Sequence, residues 1–198
     1  MEKEKPSMLT GLRTLVLNAS YMPASILPLE SIPAEDAVTR VLNGGCHVVS
    51  EYDRQILTPN LKMNWPSVIA RNQPDKNVNR SIKLEKETIF YRDHGVCAYC
   101  EKPLTLKQVT FDHVHPQSKG GRHSWDNVVA SCTHCNCKKG NRLPYGEWKP
   151  KIRPYTPTYW QILSQRRKFP IIIPREEWRE FLGEWEGGIV VSKSEMLT

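Results

Sequence analysis

Apolar residues occur along this chain in short runs whose period changes from segment to segment. RTLVLN at 13–18 sets Leu15, Val16 and Leu17 side by side, which predicts a buried strand. From Ser31 to Asn43 the apolar positions Val38, Val41 and Leu42 share one helical face. Ser31 can cap such a helix, Pro33 suits its first turn, Glu35 and Asp36 favour its positive end, and Gly44-Gly45 stop it. CHVVSEY and RQILTP, which follow, read as two short strands. RNQPDKNVNR at 71–80 is poor in apolar residues and reads as a linker or an exposed basic loop. KETIFYRDHG at 86–95 predicts a short helix. VTFDHVHP then reads as a strand ended by Pro116, and NVVASC as the strand returning to it. The basic, turn-rich segment SKGGRHSW lies between them, and HCNCKKGNR opens a helix afterwards. Residues 150–174 hold five prolines and an RRK cluster, the mark of a wrapped arm. In PREEWREFLGEW, Trp178, Phe181, Leu182 and Trp185 recur at helical spacing and predict a packed helix.

These elements make an α+β chain in three segments: an N-terminal α/β segment over 1–80, a central segment over 81–148, and a proline-rich arm with a C-terminal helix over 149–198. A length of 198 residues with 39% apolar content allows a core of modest size. The net charge of +7 raises the odds of a polyanionic partner. No apolar run approaches the ~20 residues of a membrane span, and MEKEKPSM has no apolar stretch behind it to make a secretory signal. The expectation is an intracellular, cytoplasmic protein without a membrane partner, whose cysteines stay reduced.

That compartment changes how the cysteines read. Cys97-x-x-Cys100 and Cys132-x-x-Cys135 are two knuckles with 31 residues between them. Each tight turn sets two thiolates on one side of a loop, and two such turns complete a tetrahedral all-sulfur site of the kind zinc favours. Four thiolates leave no open position, so this zinc is expected to hold the fold. Cys46 and Cys137 fall outside the pairing, and His134, inside the second knuckle, reads as a bystander.

Between and just beyond the knuckles runs FDHVHPQSKGGRHSWDNVVASCTHCNCKKG. It has an Asp-His pair, a proline, SKGG, a WxN triplet, then CxxC followed by Asn and a lysine before glycine. This stretch closely resembles the motif of the HNH endonucleases, and CAYC upstream resembles their zinc-binding members. The core of the likeness covers about residues 85–143. More loosely, LVLNASYMPASILPL and PSVIAR resemble the N-terminal part of a bacterial and phage branch of HNH proteins. The resemblance implies a ββα-metal fold framed by the four-cysteine zinc site. It implies DNA as substrate, His113 as general base, Asp112 as metal-binding acid, and Asn127 as the residue that orients the base. Asn136 stands in the third position, often histidine, which makes this an HNN variant.

The chemistry of the residues supports those roles. His113 has an ordinary pKa of ~6.5 and can take a proton from water when neutral. A carbonyl from Asn127 could accept the other ring N–H and fix the tautomer. Asp112 and the Asn136 oxygen offer a hard, oxygen-only pair suited to Mg²⁺ or Mn²⁺. Regular strand alternation points Asp112 and His113 to opposite faces and nominates His115 to share the face of His113, so both cannot serve one phosphate unless the strand ends or twists there. Lys119, Arg122, Lys138, Lys139 and Arg142 flank the site as candidate phosphate contacts. Trp125 reads as a packing anchor. Two rival readings are a non-catalytic, zinc-stabilised module that binds nucleic acid, and a zinc-stabilised protein-interaction domain.

Overall fold

The computed structural model describes residues 11–74 and 82–192. The N-terminal MEKEKPSM and most of the 71–80 linker lie outside the described residues. In chain order come β1 (Arg13–Leu17), β2 (Ser31–Pro33), α1 (Ala34–Leu42), β3 (Cys46–Thr58), β4 (Leu61–Arg71) and α2 (Lys86–Arg92). There follow β5 (Val109–His113), β6 (Val128–Cys132), α3 (Thr133–Lys139), α4 (Tyr159–Arg167), β7 (Ile171–Ile173) and β8 (Ile189–Val191). The chain divides into two compact units, one of Met1–Val78 with Phe169–Thr198, the other of Asn79–Lys168.

The first unit is built on a four-stranded sheet in the order β2-β1-β4-β3. β1 runs parallel to β4 and antiparallel to β2, and β3 and β4 form a long antiparallel ribbon. Val16 and Ile69 from the sheet pack with Ala37 of α1, Ala24 and Cys46. Ser31 does not cap α1. It pairs with Leu15 in the sheet, and the helix begins after Pro33. The two short strands expected after Gly45 are one strand of 13 residues, with register irregularities between Val48 and Gln55 that absorb the change of pattern.

The same unit holds the C-terminal aromatics. Trp178, Leu182 and Trp185 are buried, as their spacing predicts, but their segment is a 3-10 turn over Glu176–Phe181 rather than an α-helix. The indole of Trp178 donates to Ser67 Oγ at 3.2 Å, and that of Trp185 to the Phe169 carbonyl at 2.7 Å.

The second unit carries the chemistry. β5 and β6 pair antiparallel in unbroken register from Val109 opposite Cys132 to His113 opposite Val128. β6 leads directly into α3, because Cys132 is both the last strand residue and the N-cap of the helix. The arm expected over 150–174 includes a real helix, α4, started by a capping box between Thr158 and Gln161.

Candidate active site and metal centre

The four cysteines meet. One ligand atom from each of Cys97, Cys100, Cys132 and Cys135 lies within 4.8 Å of the others. Cys100 Sγ and Cys132 Sγ are 4.0 Å apart, far beyond a disulfide bond and close to the ~3.8 Å edge of a tetrahedron of sulfurs 2.3 Å from a metal. The donor set and spacing fit a metal. Burial opposes ionisation of Cys97, yet backbone N–H groups of Cys100, Cys132 and Tyr99 directed at its sulfur hold its pKa at about 6. Cys97 and Cys135 also belong to the core, packed with Ala98, Tyr99 and Val129. Cys46 is buried and Cys137 is exposed, and neither joins the group.

Asp112 faces α3. It is 3% exposed. Lys139 Nζ lies 3.1 Å from its Oδ1 and 3.0 Å from its Oδ2, and the Tyr99 hydroxyl donates to Oδ2. Lys139 also donates to the His113 carbonyl at 2.7 Å and is 1% exposed. It therefore does not stand at the surface to meet a phosphate, as its place beside Lys138 suggested. It is an internal cation that ties the end of β5 to α3. Asn136, one turn earlier on α3, donates from Nδ2 to Thr110 Oγ1 at 3.0 Å and to the Phe111 carbonyl at 2.9 Å. Thr110 and Asp112 share a strand face, so Asn136 and Asp112 are brought to the same side of β5. The Asn136 Oδ1 takes no hydrogen bond among the described residues, and Asp112 Oδ1 accepts only one. An amide oxygen and a carboxylate oxygen, each with a lone pair to give, fit a hard divalent cation by donor type.

His113 ends β5 and looks to the other face. Its Nε2 is 3.0 Å from Nδ1 of His123. Burial is the main cause holding its pKa below the ordinary value; His123 and Lys139 add to this and Asp112 opposes it. The neutral imidazole is thereby favoured near pH 7.

Asn127 does not touch the His113 ring. Its Oδ1 accepts from the His115 N–H at 2.8 Å, and its Nδ2 donates to the carbonyls of His115 at 3.0 Å and Arg122 at 2.7 Å. It clamps the loop between the strands, and His115 is held by its backbone with its side chain exposed. Gly121 completes the clamp, since a Cβ there would lie 1.8 Å from the His115 carbonyl oxygen.

Lys119, Arg122, Lys138 and Arg142 are exposed around this centre. Lys138 and Arg142 both stand over the Trp148 ring, at 5.7 and 5.4 Å from its centroid. Sequence reasoning missed a buried ion pair in the same unit. Arg92 and Asp93 are fully buried and bidentate, at 2.7 and 3.0 Å. Arg92 also donates to the Trp125 and Val128 carbonyls at 2.8 and 2.6 Å, and Asp93 accepts from the Ala130 N–H at 2.7 Å. The Trp125 ring covers the guanidinium at 5.6 Å. This pair fixes the strand and loop on both sides of Asn127. In sequence, an Arg-Asp step at a helix end reads as solvated charge. Among the described residues no helix is long and apolar enough to cross a membrane.

Over 58 residues, 29% of this chain, the sequence is 38% identical to the CRISPR-associated endonuclease Cas9 of Corynebacterium diphtheriae. The chain spans 5% of that relative's length. Residues 14–73 match the family model described as HNH endonuclease-associated, N-terminal domain. Residues 97–145 match the model described as HNH endonuclease, and that segment carries the knuckles, Asp112, His113, Asn127 and Asn136.

Proposed function

We propose that this protein hydrolyses DNA phosphodiester bonds, with His113 as general base and one divalent cation held by Asp112 and Asn136. The ββα-metal arrangement is supplied by β5, β6 and α3, and zinc in the four cysteines fixes its open end. The observation that carries the reading is the bond from Asn136 on α3 to the Phe111 carbonyl, one residue before Asp112, at 2.9 Å. It supports the reading because it ties the Asn136 amide to the strand that bears Asp112 and His113.

In this reading His113 removes a proton from water, the water oxygen forms its bond to phosphorus, and the bond to the 3′ oxygen breaks as that oxygen takes a proton from solvent water. The products are a 5′-phosphate and a 3′-hydroxyl. A bound Mg²⁺ or Mn²⁺ supplies positive charge at the phosphate and at the departing oxygen. Lys139 and Tyr99 fix the Asp112 carboxylate. Lys119, Arg122, Lys138 and Arg142 hold the backbone on either side without reading bases. Departure from histidine at position 136 is the reason to expect magnesium or manganese rather than zinc at the catalytic position.

The test is nicking of supercoiled plasmid in Mg²⁺ by the wild type and by His113→Ala. Loss of a general base costs ~10²–10⁴ in rate, while DNA binding by the exposed cations is retained. Wild-type turnover by His113→Ala would remove the histidine from the reaction and bring His115 forward. One observation favours a non-catalytic nucleic-acid-binding module instead: Asp112 is buried and matched by Lys139, as a purely structural acid would be. Absence of nicking by the wild type in any divalent cation, with binding intact, selects that reading.

A further inference from the structure

We propose that His123 is the positioning residue for His113, a task that the sequence motif alone would give to Asn127. The inference rests on the nuclease reading for the tautomer it assigns and for its consequence in rate, while the contact between the two rings stands without it.

The two imidazoles are joined edge to edge. His113 Nε2 and His123 Nδ1 are 3.0 Å apart, with ring centroids at 5.2 Å and planes inclined by 47°. The His123 ring also stands edge-on to Phe111, at 5.6 Å and 84°. Phe111 and His113 are two residues apart on β5 and share a face, so His123 spans that face and touches both. Asn127 makes no hydrogen bond to the His113 ring: its Oδ1 takes the His115 N–H, and its Nδ2 goes to the His115 and Arg122 carbonyls.

His123 is exposed, yet the chain on both sides of it is fixed. Asn127 binds the carbonyl of Arg122, the residue before it, at 2.7 Å. Gly121 presses so closely on the His115 carbonyl that no side chain fits there. Arg92 holds the Trp125 carbonyl, two residues after it, at 2.8 Å. The clamp attributed to Asn127 thus acts through the loop, and its product is the placement of the His123 ring.

The consequence follows from counting protons. Two neutral imidazoles at this separation share one N–H: one ring donates and the other accepts. If His123 donated, the lone pair of His113 Nε2 would be occupied, its Nδ1 would carry the remaining proton, and the ring would have no lone pair left to take a proton from water. A base therefore requires the opposite arrangement. His113 carries its proton on Nε2 and donates it to His123 Nδ1, and His123 carries its own proton on Nε2. The lone pair of His113 Nδ1, which takes no hydrogen bond among the described residues, is the basic site. When Nδ1 takes the proton released as the water O–H bond breaks, the imidazolium keeps its Nε2–H bond to His123.

The experiment uses the full chain, zinc-loaded and ¹⁵N-labelled, with two variants. Long-range proton–nitrogen NMR reads the His113 tautomer at a pH where both rings are neutral. The expected result is a single Nε2–H tautomer in the wild type and a mixture in His123→Ala. His123→Asn, which returns an acceptor near the Nδ1 position, should restore the single tautomer. Plasmid nicking is the second readout. His123→Ala should lower kcat by about 10–100-fold, as loss of a partner that orients an active-site histidine does, with KM within about twofold. His123→Asn should recover part of that loss. An Nδ1–H tautomer of His113 in the wild type overturns the proposal, and so does wild-type kcat in His123→Ala. If the wild type itself does not nick DNA, the nuclease reading falls, and the tautomer measurement still decides whether His123 positions His113.

Discussion

Asn136 is where one side chain decides the most. Its Nδ2 is anchored to β5 by Thr110 and Phe111, so the direction of its Oδ1 is set by the strand. Replacing it with alanine removes both the anchor and the proposed oxygen ligand, and nicking in Mg²⁺ should fall by at least about 10²-fold. Replacing it with histidine supplies an imidazole ligand, and the range of activating cations should widen toward Ni²⁺ or Zn²⁺. A nicking titration of each variant against each cation, with the structural metal left in place, checks both. Full activity of Asn136→Ala in Mg²⁺ would take this residue out of the cation's shell. The sequence singles out Asn136 by its place after CxxC, and the structure adds its bonds to Thr110 and Phe111. His123 and Lys139 were not legible in the sequence. One is an exposed loop residue and the other follows another lysine, and only the folded strand end shows that the first meets His113 and the second enters the core.

At the scale of elements, the pattern of apolar residues was most reliable where two pairing runs are bounded by clear turn signals. The strand at 109–113, its return at 128–132 and the following helix were all readable, because a short basic loop separates two runs that pair with each other. Residues 31–33 deceived because Ser31, standing just ahead of a helical pattern, looks like a cap but is held by β1 in a sheet. The Trp178 segment deceived because three- and four-residue spacing also suits a 3-10 turn wrapped over a core. α4 carried a legible signal, Thr158 with Gln161, that prolines on either side obscured. The buried Arg92–Asp93 pair at the end of α2 was invisible, since burial is what distinguishes it from surface charge. That pair sustains the loop clamp. Arg92→Met leaves Asp93 buried without its cation, and breaking such a pair costs ~3–5 kcal/mol. The expected outcome is a fall of several degrees or more in the unfolding midpoint of the second unit, followed by the tryptophan signal of Trp125. An unchanged midpoint would mean that β6 and its loop hold themselves.

At the scale of the whole molecule, the two units differ in what their cores are made of. Val16, Ala24, Ala37, Cys46 and Ile69 give the first unit an apolar core, and among the described residues it contains no cluster of three or more potential metal-ligating histidines, cysteines or acids. In the second unit, two of the four clustered cysteines are core residues themselves, packed with Ala98, Tyr99 and Val129. The knuckle at 97–100 is tied to β6 by the bond from the Ala98 N–H to the Ala130 carbonyl at 2.8 Å, so removal of a metal bound by the cysteines would loosen the strand that follows the candidate loop. Without a cation, four sulfurs within 4.8 Å of one another, two of them on buried residues, must protonate or repel. Structural zinc contributes on the order of 10 kcal/mol in small finger domains, close to the whole stability of an ordinary domain. Stripping the metal, or changing Cys97 or Cys132 to serine, should therefore unfold the second unit and leave the first folded. Hydrogen exchange followed by mass spectrometry distinguishes the two. Amides of β5, β6 and α3 should lose protection in the metal-free sample, while those of β1 and β4 keep theirs. Retained protection at Ala98 and across β6 after complete metal removal would show that apolar packing alone holds this unit, and that the four cysteines are not what makes it fold.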